Sequence, residues 1–396
     1  MHEASVLVVN AGSSSLKVKL FPAEHSVLVE RIGGDTNIVS SLGPVRTGGL
    51  AHHDVALRRV LELLQDHVPS GGIGAVGHRV VHGGMRFSRP VIIDATVEHI
   101  IDELSTLAPL HNPANLEGIR AARALLPDVP QVAVFDTAFH AGMPPRAFLF
   151  GLPIDLYRSR RIRRYGFHGT SHDFVTERAA EILRRPRETL RLVSLHLGNG
   201  ASAAAVAGGR SIDTSMGFTP LDGLLMGTRS GEIDPGVLLH LLRGGMDPEA
   251  LDRLLNRESG LLGLSGVSND MRDVRTAADG GDPDARAALE VFAYRITKTV
   301  GAYAAAMGGL DGIVFTGGIG EHDASIRQES MAGLEFLGVR IDARRNARHA
   351  ERISAEGGTV AVLVVPTDEE RMIARATAEL AGLGHIGGEA VQKETS

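Results

Sequence analysis

The sequence predicts an α/β protein in two similar halves. Three observations lead there. Short apolar runs rich in β-branched residues alternate with stretches of helical spacing. Clusters of Gly, Ser, His, Arg and Asp fall at the ends of those runs, where open α/β sheets bind ligands. A strand–turn–strand design occurs twice, around Asn10 and around Asn199, which suits a duplication without establishing one.

In the first half, residues 6–9 are apolar and mostly β-branched, as in a buried strand. Gly12 and three serines turn the chain into a second strand ending near Phe21. Residues 24–50 read as loops or short strands. Val55, Val60, Leu61, Leu64 and Val68 predict a helix over 54–68. Residues 73–81 read as a strand and 90–94 as a short one. Asn112 is expected to cap a helix with Pro113 at its first position, running to about Leu126. A strand over 131–135 then ends at Asp136.

The second half begins with a proline-rich connection over 143–153. Five arginines follow within residues 158–164. With a net charge of −6 and no interleaved aromatics, they suit a solvated or interdomain loop better than a nucleic-acid patch. Thr170 or Ser171 is expected to cap a helix to about Arg184. Residues 192–206 give the second strand–turn–strand, and 216–235 read as glycine-rich loops. A helix is expected from Pro235 to Arg243, a loop at 268–273 and a long helix over 284–307. A strand at 312–316 runs into Gly317-Gly-Ile-Gly320 and a helix, and a strand at 360–365 follows. Thr367 or Asp368 caps a last helix to about Leu380, and the polar, glycine-rich final dozen residues are expected to fray.

A length of 396 residues suits two domains, and 43% hydrophobic with 22% charged content is that of a globular chain. The acidic balance gives no footprint for nucleic acid or an anionic membrane. Without cysteine, disulfides, thiolate chemistry and cysteine–metal sites are excluded. No apolar run approaches the ~20 residues of a membrane span, and the opening lacks a leader pattern, so the cytoplasm is the expected compartment. Of 41 basic residues only Lys17, Lys19, Lys298 and Lys393 are lysines. Two of these lie in the opening hairpin, where a compact, flexible point charge suits an anion.

The small residues at 10–17 let backbone N–H groups approach a phosphate, although an isolated Ser/Gly hairpin is also an ordinary turn. No G-x-x-x-x-G-K-[ST] loop is present, and the turns at 198–200 and 317–320 lack the full dinucleotide pattern. Three such turns at strand ends together point to a nucleotide. His78 and His82 do not sit on a helix as metal spacing requires. Asp136 and Glu369, each beyond a strand, better suit a magnesium ion carried by nucleotide phosphates.

Asn10-Ala-Gly-Ser-Ser-Ser-Leu-Lys17, Gly77-His-Arg-Val-Val-His-Gly-Gly84, Tyr165-Gly-Phe-His-Gly-Thr-Ser-His172, His196-Leu-Gly-Asn-Gly200 and Gly227-Thr-Arg-Ser-Gly231 closely resemble the acetate kinase family. The resemblance runs from about residue 5 to 380. It implies two duplicated RNase H-like domains of the actin-like ATPase class with a central nucleotide cleft. They would span 1–138, completed by a C-terminal helix within 371–396, and 139–370. It further implies a cytoplasmic homodimer that uses ATP or ADP with Mg2+ (Mn2+ able to substitute) to interconvert acetate and acetyl phosphate, without nucleic-acid or membrane partners.

Carried onto this chain, the resemblance puts Asn10 and Glu369 at the metal. Ser13, Ser15 and Lys17, with His196, Leu197, Gly198, Asn199 and Gly200, meet the phosphates. Asp270, Met271 and Arg272, with Gly318, Ile319, Gly320, Glu321 and His322, hold the adenosine. Arg79, Asp136, His168 and Arg229 match catalytic positions, and Val81, Leu110, Phe167 and Pro220 match the acetate-methyl pocket, with Arg79 also counted on the substrate. His111 either braces the cleft or takes a direct part in it. His322 and Asp368 stand where the family commonly has asparagine.

The chemistry agrees with these roles. A carboxylate with a pKa of about 4 is ionised at pH 7, so no general base is needed. The task is to bring two anions together and spread charge, for which forked arginines are suited. Asp136 is then expected to orient an arginine or the metal shell. A propionate or butyrate kinase is the nearest rival, and the branched Val81 favours acetate. A non-enzymatic ATP clamp is the rival from another class.

Overall fold

The computed structural model describes residues 4–45 and 48–384. The expected frayed tail, residues 385–396, lies outside the described residues. The chain forms two compact units, Met1–Ala138 with Asp368–Ser396, and Phe139–Thr367.

The first unit is built on strands β1 (Ser5–Gly12), β2 (Ser15–Phe21), β3 (His25–Glu30), β4 (Asn37–Ser40), β5 (Ile73–Val80), β6 (Val91–Ile92) and β7 (Gln131–Phe135). They form one mixed sheet in the order β4-β3-β2-β1-β5-β7-β6. β1 is antiparallel to β2 and parallel to β5, which is parallel to β7. Both faces of β1 are covered, which explains its unbroken apolar run. Leu7 and Val9 pack toward Leu57, Val60 and Leu64 of the helix His53–Leu64. Val6 and Val8 pack toward Ile373, Ala374 and Ala378 of the helix Glu369–Ala381. A Cβ at Gly77 of β5 would come within 2.8 Å of Ile373 Cγ2, so this strand needs its glycine for that helix to lie close.

The second unit holds β8 (Arg191–Leu197), β9 (Ala201–Ala207), β10 (Arg210–Thr214), β11 (Gly312–Thr316) and β12 (Ala361–Val364), ordered β10-β9-β8-β11-β12. β8–β10 are antiparallel neighbours, while β8, β11 and β12 run parallel. This repeats the β3-β2-β1-β5-β7 order of the first unit. The helix Gly169–Leu183 covers one face through Val175 and Ala179. The long helix Pro283–Met307 lies against β8 and β9.

Several local expectations are corrected. Asn112 is the first helical residue rather than the cap, which is His111, because the Asn112 amide is taken by the chain at His82. Neither Thr170 nor Ser171 caps its helix; His168 does. The arginine cluster is half helix (Ile154–Arg160) rather than loop; Arg158, Arg160 and Arg161 are exposed as expected, whereas Arg163 is buried over the Phe148 ring at 3.8 Å. Residues 268–273 already contain the start of the helix Met271–Asp279. Gly317–His322 is helical rather than an open loop.

Candidate active site

Parallel pairing brings the C-terminal ends of β1, β5 and β7 to one edge of the first sheet. Arg79 lies near the end of β5 and Asp136 just past β7, where its N–H donates to the Val80 carbonyl at 3.0 Å. The Arg79 guanidinium forks onto the Asp136 carboxylate, Nε to Oδ1 at 3.0 Å and Nη2 to Oδ2 at 2.6 Å. Glu369 Oε2 lies 3.7 Å from Arg79 Nε. Burial works against charge on Arg79, but Asp136, Glu369 and Glu370 outweigh it and raise its pKa further. Burial pushes the Asp136 carboxyl up while Arg79 pulls it down, and the two-point fork is the geometry of an ionised carboxylate.

Asn10 and Lys17 face each other across the first hairpin, with Ser13 and Ser15 at its turn. Lys17 forms an ion pair with Glu370. A residue the sequence did not flag joins this hairpin to the rest of the edge. Asn115 donates from Nδ2 to the Ala11 carbonyl at 2.8 Å and accepts at Oδ1 from the Val81 N–H at 3.0 Å. Val81 is buried, whereas Leu110 is 55% exposed. The loop after Val81 is pinned again where the Gly83 N–H donates to Thr137 Oγ1 at 2.9 Å.

In the second unit, His168 sits at the N-cap of the helix Gly169–Leu183 with φ +55°. Histidine enters this left-handed region more readily than most residues. The preceding residue, Phe167, is buried, and its carbonyl accepts from His140 Nε2 at 3.0 Å. The His168 ring lies 2.9 Å from Ser202 Oγ through Nδ1 and stacks on His196 with centroids 4.2 Å apart. His196 Nδ1 in turn meets Ser171 Oγ at 2.8 Å.

Arg229 differs from Arg79. It donates from Nη1 to the Pro220 carbonyl at 3.2 Å, and among the described residues no carboxylate pairs with it. Burial lowers its pKa, although an arginine stays charged. A Cβ placed on Gly200 would lie 3.5 Å from Arg229 Nη1 and 3.6 Å from His168 Cε1, so turn, arginine and histidine converge. That turn is closed by Gly198 N–H to the Gly200 carbonyl at 3.1 Å. Asn199 accepts through its carbonyl from the Gly227 N–H at 2.9 Å and through Oδ1 from Asn269 Nδ2 at 3.1 Å. Leu197, ending β8, is buried.

The adenosine positions are more self-contained. Asp270 caps the helix Met271–Asp279, and Arg272 forks back onto it at 3.0 and 2.6 Å, drawing its pKa down to about 2. The Glu321 carboxylate accepts the Gly317 N–H at 2.9 Å and the Thr367 N–H at 3.3 Å, which holds Gly318, Ile319 and Gly320 against the sheet. Gly317 itself has φ +76°, and a Cβ there would stand 2.7 Å from the Leu197 carbonyl, so only glycine fits. The His322 ring meets His349 edge-on, centroids 6.1 Å apart.

Two sheets of one repeated order, each with glycine- and serine-rich turns at its strand ends, define the duplicated actin-like ATPase class. The chain belongs to the acetokinase family, whose model matches residues 5–375. It is 52% identical to the acetate kinase of Clavibacter sepedonicus, covering 93% of this chain and 97% of that one. Among solved structures it is similar to Porphyromonas gingivalis acetate kinase, with 42% identity, TM-score 0.88 and 95% and 99% of the two chains covered. A Francisella tularensis propionate kinase is equally similar, with 41% identity, TM-score 0.90 and 95% and 100% covered. No helix among the described residues is long and apolar enough to cross a membrane.

Proposed function

We propose that this protein is an ATP:acetate phosphotransferase that interconverts acetate and acetyl phosphate by direct in-line transfer. The observation that carries the reading is the contrast at the two arginines, set within a chain of the acetokinase family. An acceptor carboxylate is already ionised, so a base is superfluous, and Asp136 is locked to Arg79 instead of being poised to take a proton. Asp136 thus orients Arg79, which presents its remaining surface to the acetate carboxylate. Arg229, charged and with no carboxylate partner among the described residues, and His168 take the charge that develops on the transferring phosphoryl group.

Ser13, Ser15 and Lys17, and residues 196–200, are the residues assigned to the phosphates. Lys17 releases Glu370 in exchange for phosphate. The backbone at 270–272 and 318–322 holds the adenosine. Asn10 and Glu369 would hold Mg2+ or Mn2+, a donor set that suits an ion bringing phosphate oxygens and waters of its own. The ion supplies charge neutralisation on the phosphate oxygens.

Val81, Leu110, Phe167 and Pro220 are the residues assigned to the acetate methyl, and Val81 is branched and buried, which favours the shorter acid. We also propose a cytoplasmic location, and a homodimer supported by the exposed apolar side chains of Ile233, Val237, Leu239 and Leu242 around one helix of the second unit. The test is acyl phosphate formation trapped with hydroxylamine in the presence of MgATP, comparing kcat/KM for acetate and propionate. One extra methylene in an apolar pocket is worth ~10–200-fold. Acetate is expected to win by that order, and Val81→Ala to narrow the gap. No hydroxamate from either acid would reject the phosphotransferase reading. A higher kcat/KM for propionate would reject the assignment of Val81 to the acetate methyl.

A further inference from the structure

Behind His168 lies a buried row of side chains that the reaction scheme does not use. Ser202 Oγ stands 2.9 Å from His168 Nδ1 and 2.8 Å from His172 Nε2. His172 Nδ1 stands 2.8 Å from Ser194 Oγ. Ser194, Ser202 and His172 are all fully buried. Burial, with His140 and His196 nearby, drives the His172 pKa well below its ordinary value, so the ring is neutral and carries one proton.

The direction of this row follows from counting protons. Each serine has one O–H to donate. For Ser194 the described acceptor is His172 Nδ1, and for Ser202 it is either of the two histidine nitrogens. Suppose His168 Nδ1–H donated to Ser202. Ser202 would then donate to His172 Nε2, His172 Nδ1–H would donate to Ser194, and the Ser194 O–H would be stranded in the interior. Run the other way, every donor is satisfied. Ser194 donates to His172 Nδ1, His172 Nε2–H donates to Ser202, and Ser202 donates to His168 Nδ1. An unmet buried donor tilts such a choice by roughly tenfold or more.

We propose that Ser202, backed by His172 and Ser194, is a positioning residue that fixes the tautomer of His168. Whenever the His168 ring is neutral, it then holds its proton on Nε2, where it serves as a hydrogen-bond donor. This rests on the reading of His168 as a donor to the transferring phosphoryl group. The row adds no proton and moves none; it decides which face of the ring donates. A neutral imidazole with its proton on Nδ1 has only a lone pair to offer at Nε2, and that would repel a phosphoryl oxygen.

The experiment combines 15N spectra of histidine-labelled protein with steady-state kinetics. In the wild type at pH 8, His168, assigned with His168→Asn, is expected to show a protonated Nε2 and an unprotonated Nδ1. Ser202→Ala is expected to mix the two tautomers and to lower kcat about tenfold, with KM for ATP and acetate within about twofold of wild type. Ser202→Thr, which keeps the hydroxyl, is expected to restore both. A protonated Nδ1 in the wild type would overturn the proposal without any variant. So would an unchanged kcat in Ser202→Ala alongside a crippled His168→Asn, or a lowered kcat with the tautomer unmoved. A normal kcat in His168→Asn would overturn the donor reading itself and this inference with it.

Discussion

On the proposed function, each unit offers one arginine to the chemistry, and the two are prepared differently. Arg79 is clamped by Asp136 through two hydrogen bonds, with Glu369 beside it. Its charge is answered before any substrate arrives, and what it contributes is a fixed plane. Arg229 has a backbone carbonyl and a thioether for company, and its charge stays available. Positioning a ground-state carboxylate calls for the first arrangement. Stabilising charge that appears only in the transition state calls for the second, because that interaction must grow along the reaction. The repeated sheet order supplies both from one design, and the side chains at the strand ends differentiate them.

The comparison breaks most visibly at Arg229. Arg229→Ala is expected to lower kcat by ~10³–10⁵, the range of a lost arginine in phosphoryl transfer, with a melting temperature near wild type. Asp136→Asn is the converse. It leaves Arg79 beside Glu369 without its buried counter-charge, and unfolding measurements are expected to show a loss of about 3 kcal/mol. Stability unchanged in Asp136→Asn would show that the clamp is not structural.

A third prediction concerns what the units share. His78 and His82 in the first, and His140 in the second, have pKa values lowered by burial to about 4, and His172 lies well below normal. Between pH 6.5 and about 4 the unfolded chain takes up protons that the folded chain refuses, so stability falls as pH falls. Each such histidine contributes a slope of about 1.4 kcal/mol per pH unit within that window. Urea midpoints measured from pH 7 to pH 5 are expected to drop, and His140→Gln is expected to flatten the slope if it folds. A midpoint that holds steady to pH 5 would contradict the buried neutral rings.

Much of the fold was legible because its strands are unbroken apolar runs. Gln131–Phe135 and Gly312–Thr316 are so buried that composition alone marks them. The helix Ala95–Glu103 was missed, since it buries only Ile101 and gives little periodicity to read. The helices Pro248–Arg257 and Gly260–Ser265 were missed too, although Leu251, Leu254 and Leu255 give the first a legible apolar stripe. At the candidate site, the motifs name residues but not their partners. Arg79 and Asp136 are 57 positions apart, and only the parallel pairing of β5 with β7 brings them together. Asn115 and Ser202 carry no signal of their own. An asparagine inside a helix and a serine inside a strand look ordinary until the groups they bridge are in place.

The most direct measurement is the division of the Arg229→Ala effect between kcat and KM, for both acetate and ATP. An arginine that waits uncompensated for transition-state charge should appear almost wholly in kcat, with both KM values within a few-fold of wild type. A raised KM with kcat preserved would mean that Arg229 binds substrate as Arg79 does, and that the two units do not differ in the way described.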